Sequence, residues 1–354
     1  MIDIPTASSS NRPITQHYCA FTVDVEGWFH ILDSPSVPQI ERWPFLESRI
    51  EMNLDRILVL LDSYSVKATF FWLGWVAERH KDLVRKCQEA GHEIASHGYA
   101  HVLANKVGPD AFRQDISKAK TILEDITGEP VRGFRAPGCA ITDKALWAFE
   151  VIREAGYQYD SSVFPAQHGH GGMPTSLLEP YFIETHAGHL LEIPLSVVNV
   201  LGRRVSFFGG GYLRLASKQI IKWGIDRLEA AGRPLVIYVH PREIDPDHPR
   251  LPLPLLRRFK CYVGLKSTLP KLEWLLQNYQ FSTMPKMIED YIKSFYCQGR
   301  PVPVLTLPNS SSAIEPSLKR WSTEDGVNND QLRSKILSVE RAMADFLGPD
   351  TAPL

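Results

Sequence analysis

The 354-residue sequence has few cysteines, and they form no recognisable pattern. Its five cysteines include no Cys-x-x-Cys pair, and their number is odd. Disulfide frameworks are built from even numbers of cysteines, and thiolate zinc sites from closely spaced pairs. Both kinds of cross-link are therefore disfavoured, and the cysteine content fits a reducing compartment.

Long apolar runs and an excess of one charge are also missing. Residues 1–16 contain no apolar core of signal-peptide length, and no run of about 20 apolar residues is present to span a bilayer. The formal net charge of −1 gives no overall electrostatic reason to expect nucleic acid or an anionic membrane as a partner. The basic cluster at 257–260 is interpreted as a solvated face. We expect a cytoplasmic protein, with export of the folded chain by another route left open.

Motifs of several large enzyme classes are absent as well. No Gly-x-Ser-x-Gly sequence supports a serine hydrolase, and the glycine run at 209–211 lacks the spacing of a dinucleotide or phosphate loop. Residues 164–189 contain many Gly, Pro and His without a clear period, so they are predicted to form a long surface loop.

What the sequence does contain is a regular alternation of strand and helix patterns. Apolar, β-prone segments such as 18–25, 67–73, 235–239 and the short 281–284 alternate with helical segments such as 75–90 and 110–126, in six or seven pairs. This alternation predicts an α/β protein with a mostly parallel sheet, either open or closed into a barrel.

The composition divides the chain into three parts. Residues 1–16 are expected to be a flexible arm, and residues 17–290 the folded domain. Residues 291–354 are predicted to be a tail. Its 299–317 stretch has the Pro- and Ser-rich composition of a linker, and its 329–347 stretch predicts one amphipathic helix.

Polar side chains follow several of the predicted strands. The carboxyl ends of parallel strands share one edge of a sheet or one rim of a barrel, where catalytic groups concentrate. We therefore expect these side chains to converge on an active site: Asp24 and Glu26, His97 and His101, Arg135, Asp160, and His240.

His97 and His101 predict a metal site. A separation of four residues can place both imidazoles on the same side of a helical turn, although such pairs also occur by chance on solvated turns. Imidazole is a common ligand of divalent transition metals, and a carboxylate from Asp24 or Glu26 would complete a hydrolytic site. The metal would lower the pKa of a bound water to about 7.

The remaining groups fit acid–base chemistry on an amide or ester. One carboxylate could accept the proton of the water, with Arg135 holding it ionised unless that arginine forms a purely structural ion pair. His240 could protonate a leaving nitrogen, with Asp160 orienting it, although a histidine at a strand end is more often structural. A backbone N–H at Gly138 could bind an oxyanion. Trp28, which follows the carboxylates, could stack on a sugar ring, although tryptophans are more often core residues.

The sequence resembles the polysaccharide deacetylases of the NodB-homology family, carbohydrate esterase family 4. The resemblance spans about 18–285 and is strongest for the subgroup found with exosortase and exopolysaccharide gene clusters. The matching segments are 21–26 (Phe-Thr-Val-Asp-Val-Glu), 67–71, 91–101 (with His97-Gly-Tyr-Ala-His101), 133–137, 159–162, 191–195 and 238–241, with 209–212 and 240–246 as marks of the subgroup.

The resemblance implies a distorted (β/α)7-type barrel that removes N-acetyl groups from amino sugars with a divalent metal, foremost Zn²⁺, with Co²⁺ or Ni²⁺ as alternatives. The family's adjacent Asp-Asp is here Asp24-Val25-Glu26, which leaves open whether Glu26 is the third ligand. The implied roles are Asp24 as general base, Arg135 as its orienting partner, His97 and His101 as metal ligands, His240 as general acid, Asp160 as the carboxylate that tunes it, and Leu195 and Tyr238 as the lining of the acetyl pocket.

The leading hypothesis is thus a metal-dependent deacetylase of an N-acetylated glycan or its precursor, acting in exopolysaccharide synthesis. Two alternatives stay open: a hydrolase of small cyclic amides on the same fold, and a glycan-binding protein without activity. Nucleic acid is not expected as a partner, and the oligomeric state is not predicted.

Overall fold

The computed structural model describes residues 18–32, 34–166, 172–173, 175–297, 302–306, 318–319 and 341. The strands in this part are β1 (Cys19–Val25), β2 (Thr69–Trp72), β3 (Glu93–Ser96), β4 (Gly133–Phe134), β5 (Tyr159–Asp160), β6 (Tyr181–Thr185), β7 (Gly188–Glu192), β8 (Val198–Val200), β9 (Arg203–Val205), β10 (Leu235–Val239), β11 (Val304–Thr306) and β12 (Leu318–Lys319). The helices are α1 (Ile50–Ser63), α2 (Gly74–Arg79), α3 (Lys81–Glu89), α4 (Ala104–Val107), α5 (Pro109–Thr127), α6 (Trp147–Glu154), α7 (Gly210–Leu215), α8 (Lys218–Ala230), α9 (Leu255–Tyr262), α10 (Thr268–Asn278) and α11 (Met284–Cys297).

Seven parallel strands form the centre of the main sheet. Their order is β10-β1-β2-β3-β4-β5-β7, and helices connect most of the consecutive pairs. The segment that follows β7 contacts β10 at the other end of this set through the side chain of Ser196. The Ser196 hydroxyl accepts a hydrogen bond from the Val236 N–H (2.8 Å) and donates one to the Pro234 carbonyl (3.2 Å). The predicted α/β fold of the distorted (β/α)7 type is confirmed.

The strand and helix patterns have simple physical causes. All seven residues of β1 are buried, which is typical of a parallel strand covered on both faces. Helix α5 has Pro109 in its first turn and ends at Gly128, whose φ of 69° is the left-handed conformation of a helix C-cap. Such local signals explain why the predicted bounds of these elements lie close to the observed ones.

Three predicted elements differ from the observed ones. Residues 164–189 are not a single loop, because β6 and the start of β7 form an antiparallel hairpin in its second half. Tyr181, Phe182 and Ile183 of β6 are all buried, so the strand lacks the alternation that marks a half-exposed strand. The predicted helix at 75–90 is two helices separated at His80, and the predicted strand at 281–284 is a single bridge at Ser282.

Part of the predicted tail packs against the domain. Helix α11 continues through residue 290 to Cys297, and β11 adds to β6 within the stretch predicted as a linker. The pairing of a short hydrophobic strand with an existing sheet edge determines the structure here, although the surrounding sequence has the composition of a linker. The predicted arm at 1–16 and nearly all of the predicted tail helix at 329–347 lie outside the described residues. None of the described helices has the length and apolar character needed to cross a membrane.

Candidate active site

A cavity of about 420 Å³ opens at the carboxyl ends of the parallel strands. The structure brings five of the predicted polar side chains to its wall: Asp24, Glu26, His97, His101 and His240. Asp24 belongs to β1, while His97 and His240 directly follow β3 and β10. The parallel order of the strands therefore places groups from distant parts of the sequence around one space.

The two histidines lie on a loop after β3 rather than on a helical turn, so the helical spacing argument is wrong. His101 has a φ of 55° and Gly98 a φ of 75°, and both values lie in the left-handed region. A Cβ atom at Gly98 would lie 2.6 Å from a carboxylate oxygen of Asp115, which makes glycine the residue that fits there.

Asp115, on α5, holds this loop in place. Its two carboxylate oxygens accept hydrogen bonds from the backbone N–H groups of Tyr99 (2.8 Å) and Ala100 (2.9 Å). The sequence reasoning missed this residue, because nothing in the helical pattern of α5 marks it as different from other polar positions.

Glu26, His97 and His101 form a buried donor set suited to a divalent metal. One ligand atom from each residue lies within 4.8 Å of the other two, and Nε2 of His101 is 2.6 Å from Oε2 of Glu26. Nδ1 of His97 is 2.7 Å from the Arg135 carbonyl oxygen, which can only accept a hydrogen bond. Nδ1 is therefore the protonated nitrogen, and Nε2 is left as the ligand atom.

Asp24 is paired with Arg135, and both side chains are buried. The guanidinium Nη1 lies 2.7 Å from Oδ1 of Asp24 and also donates to the Thr22 hydroxyl, while Nε and Nη2 donate to Ser161. Burial raises the pKa of Asp24, but the charges of Arg135 and two nearby histidines lower it by more. The net shift is downward, so Asp24 is ionised at neutral pH.

His240 is oriented by Glu243. Nδ1 of His240 lies 3.0 Å from Oε2 of Glu243, and Nε2 lies 3.9 Å from Asp24 and 3.6 Å from Glu26. Glu243 also pairs with the buried Arg214 guanidinium. Burial lowers the pKa of His240 to about 4. The sequence reasoning missed Glu243, although a glutamate three residues after a turn-starting residue has the spacing of a capping box.

The expected pairing of Asp160 with His240 is wrong. Asp160 instead shares a hydrogen bond with the buried Glu192 carboxyl and accepts one from the Ser162 hydroxyl. Ser162 in turn accepts the Ala136 N–H (2.7 Å). Burial raises the pKa of Asp160 to about 6. Asp160 therefore supports the backbone that follows Arg135, because β5 lies beside β4 in the sheet, with three strands between it and β1 and four strands between it and β10.

Each of the three carboxylates nearest His240 lies beside an arginine. Arg242, a residue that sequence reasoning also missed, has Nε 3.5 Å from Glu26. Burial raises the pKa of Glu26, but His101, His240 and Arg242 lower it well below its ordinary value. The three pairs are Asp24 with Arg135, Glu26 with Arg242, and Glu243 with Arg214.

Trp28 does not offer a face to a sugar ring, so that prediction is wrong. Its side chain is 6% exposed, packs edge-on against Phe29, stacks near His248 and donates Nε1–H to the Glu47 carbonyl. An indole with its N–H satisfied inside the protein is a core residue.

The other predicted pocket residues divide into two groups. Gly138 and Tyr238 line the cavity, whereas Leu195 lies in the buried apolar cluster against which Tyr238 packs. The glycine run after β9 is needed for close packing, since a Cβ atom at Gly209 would lie 2.2 Å from the Tyr238 ring. These glycines let the backbone pack closely against Tyr238, and no phosphate-binding role is needed to account for them.

Two family profiles match separate parts of the chain. The sequence profile of the family described as "Polysaccharide deacetylase" matches residues 47–159. This part of the chain is similar to the polysaccharide deacetylases. A second profile, described as "Domain of unknown function (DUF3473)", matches residues 161–289. The first match includes His97, His101 and Arg135, and the second includes His240 and Glu243.

Individual relatives match parts of the chain. A peptidoglycan-N-acetylglucosamine deacetylase of Bacillus cereus is 36% identical over 103 residues, which are 29% of this chain and 46% of that protein. The chain thus matches less than half the length of this relative. Among solved structures, one from Mycobacterium smegmatis assigned to the polysaccharide deacetylases superimposes with a TM-score of 0.54 at 20% identity, covering 87% of this chain and all of the other. The Puue allantoinase superimposes with a TM-score of 0.52 at 18% identity, covering 83% of this chain and 99% of the other. At these identities the two structures show a shared fold.

Proposed function

We propose that this protein is a metal-dependent deacetylase that removes N-acetyl groups from amino-sugar residues of a polysaccharide or its precursor. The observation that carries the proposal is the buried set of Glu26, His97 and His101, whose ligand atoms lie within 4.8 Å of one another beside the Asp24–Arg135 pair. Two imidazoles and one carboxylate are the ligands of hydrolytic zinc sites.

The donor set fits a divalent ion, with Zn²⁺ preferred and Co²⁺ or Ni²⁺ as alternatives. The Arg135 carbonyl oxygen fixes the tautomer of His97, as the partners of metal-binding histidines commonly do. A metal bound by Glu26, His97 and His101 would polarise the acetyl carbonyl and lower the pKa of a water.

The protein's own side chains account for the proton transfers. Asp24, kept ionised beside Arg135, takes a proton from the attacking water, and its orientation is set by hydrogen bonds to the arginine. His240, held by Glu243, gives a proton to the leaving nitrogen as the C–N bond breaks. Because its lowered pKa leaves the His240 ring neutral before the reaction, Nε2 takes the proton that Asp24, 3.9 Å away, removes from the water and passes it to the leaving nitrogen. The products are acetate and the free amine.

Two observations support a glycan substrate. The Bacillus cereus relative is described as acting on peptidoglycan N-acetylglucosamine, which supports an N-acetylated glycan as substrate here. The segments 209–212 and 240–246, which resemble the exosortase-associated subgroup, support a role in exopolysaccharide synthesis. In this protein those segments contact Tyr238 and orient His240, so they shape the site itself.

The proposal is tested by acetate release from chitooligosaccharides. We expect turnover that is lost with a chelator, restored by Zn²⁺, and lost in His97→Ala. His186→Ala is the matched control, because that histidine is exposed on the hairpin between β6 and β7. An unchanged rate in His97→Ala would overturn the proposal. Hydrolysis of a small cyclic amide such as allantoin without acetate release would favour the alternative shared with the Puue allantoinase fold, and glycan binding without turnover would favour a binding protein.

A further inference from the structure

One side of the cavity mouth carries a group of apolar side chains that face solvent. We call this surface, formed by α7 and α9, the lip of the cavity. Its apolar members are Leu255 (84% exposed), Leu256 (69%), Leu215 (55%), Phe259 (53%) and Tyr212 (42%). Exposed apolar side chains are ordinarily scattered singly over a protein surface, so five on two contacting helices mark an interaction site.

The lip also carries positive charge. Arg258 and Lys260 are exposed on α9 between and beside Leu256 and Phe259, and neither has a carboxylate partner among the described salt bridges. Arg257 donates a hydrogen bond to the Leu32 carbonyl (2.6 Å) and so ties the helix to the domain. The basic cluster predicted as a solvated face is thus exposed, but it is interleaved with leucine and phenylalanine.

The lip is fixed to the catalytic machinery by Arg214 of α7. Its guanidinium donates to the Val263 (2.9 Å) and Lys260 (2.8 Å) carbonyl oxygens at the end of α9, and it pairs with Glu243, the partner of His240. Lys271 donates to the Arg214 carbonyl (2.6 Å) from α10. The apolar and cationic side chains are therefore presented by a braced surface.

We propose that the lip docks on the surface of an anionic lipid bilayer. Leucine and phenylalanine beside arginine and lysine on one helix are the composition of interfacial helices, whose apolar side chains enter the acyl boundary while the cations meet lipid phosphates. Docking in this way would place the cavity mouth at the membrane surface. The net charge of the whole chain does not predict this partner, because the complementarity is local to the lip.

A second copy of the chain fits the lip less well. A symmetric dimer through this surface would place Arg258 and Lys260 of both copies in one small interface without carboxylate partners from the lip, where like charges repel. An anionic bilayer satisfies both the apolar and the charged side chains. The inference does not depend on deacetylase activity.

Sedimentation with vesicles tests the docking. The full chain should pellet with phosphatidylcholine vesicles that contain phosphatidylglycerol, and much less with phosphatidylcholine alone or at high salt. The double substitution Leu255→Ser with Leu256→Ser should weaken binding at least about tenfold, because burying one leucine is worth more than that factor. Arg258→Gln with Lys260→Gln should reduce the preference for phosphatidylglycerol.

The matched control is Phe45→Ser with Leu201→Ser, two apolar residues that are 83% and 101% exposed outside the lip. It should bind vesicles as the unsubstituted chain does, and thermal unfolding should verify that all variants are folded. Failure of the unsubstituted chain to bind anionic vesicles, or equal binding by the Leu255/Leu256 variant, would overturn the proposal. Dimerisation that the same serine substitutions abolish, without vesicle binding, would assign the lip to a second copy instead. Because the assay needs no turnover, an inactive protein that still binds would refute only the deacetylase proposal.

Discussion

Oε2 of Glu243 lies 3.0 Å from Nδ1 of His240, and both residues belong to the same short turn after β10. The same carboxylate oxygen accepts the His240 backbone N–H (3.1 Å). A carboxylate can only accept, so Nδ1 carries the proton and Nε2 faces Asp24 and Glu26. The orientation of the proposed acid therefore comes from its own turn and not from a neighbouring strand.

Glu243→Gln should lower kcat by about 10- to 100-fold with little change in KM, because the amide keeps the size of the side chain but loses the charge that favours the imidazolium. Steady-state deacetylation across a pH series measures the effect. Glu89→Gln, at an exposed glutamate of α3, serves as the control. An unchanged pH profile in Glu243→Gln would show that the carboxylate does not tune His240.

Asp115→Ala should weaken zinc binding by about 10- to 100-fold without removing a ligand, the range seen for residues that hold metal ligands in place. The loss follows because the Tyr99 and Ala100 N–H groups lose their acceptor and the loop that carries His101 is no longer fixed. Competition with a zinc-binding dye measures the affinity. Asp125→Ala, at an exposed position of the same helix, should leave it unchanged. Equal affinity in both variants would contradict the role of Asp115.

Arg135→Lys should destabilise the fold by about 1–3 kcal/mol, the cost of leaving buried hydrogen-bonding groups without a partner. Lysine cannot replace the planar set of donors that contacts Asp24, Thr22 and Ser161 together. Urea unfolding measures the difference. Arg56→Lys, at an exposed arginine of α1, should change the free energy of unfolding very little. If Arg135→Lys lowered the free energy of unfolding as little as Arg56→Lys does, water or a rearrangement of side chains would be satisfying the hydrogen-bonding groups of the site.

Asp160→Asn should change how stability depends on pH. The folded-state pKa of Asp160 is raised by burial from 3.8 to about 6, so the folded protein binds the proton more tightly than the unfolded chain. The resulting stabilisation is fully present below the unfolded pKa and is lost as the pH rises to about 6. Urea unfolding from pH 4.5 to pH 7 should show a shallower fall of stability in Asp160→Asn than in the unsubstituted protein. Parallel curves would show that Glu192 holds the shared proton alone.

Several parts of the candidate site could be expected from local sequence. The strand pattern of 18–25 and 235–239 and the polar residues at the strand ends predict one rim, because parallel strands all end on the same side of a sheet. The pairing of Arg135 with a carboxylate of the first strand also follows from residue type. These inferences need only the period of the hydrophobic pattern and the chemistry of single side chains.

The partners within the site were decided by the tertiary structure. Asp160 and Glu243 are both carboxylates near strand ends, and only the strand order and the turn at 240–243 determine that Glu243 reaches His240. Asp115 holds the histidine loop because α5 packs beneath that loop, and no local sequence pattern encodes this contact between segments.

The sequence by itself therefore determined the alternation of strands and helices, the rim at which polar groups collect, and the types of ligand and proton carrier available there. Only the folded chain decided which carboxylate orients which histidine, that Trp28 is buried, and that the basic segment at 257–260 lies with exposed leucines at the cavity mouth. The physical reason is that periodicity and residue chemistry are local properties, whereas hydrogen-bond partners and burial depend on the packing of segments far apart in the chain.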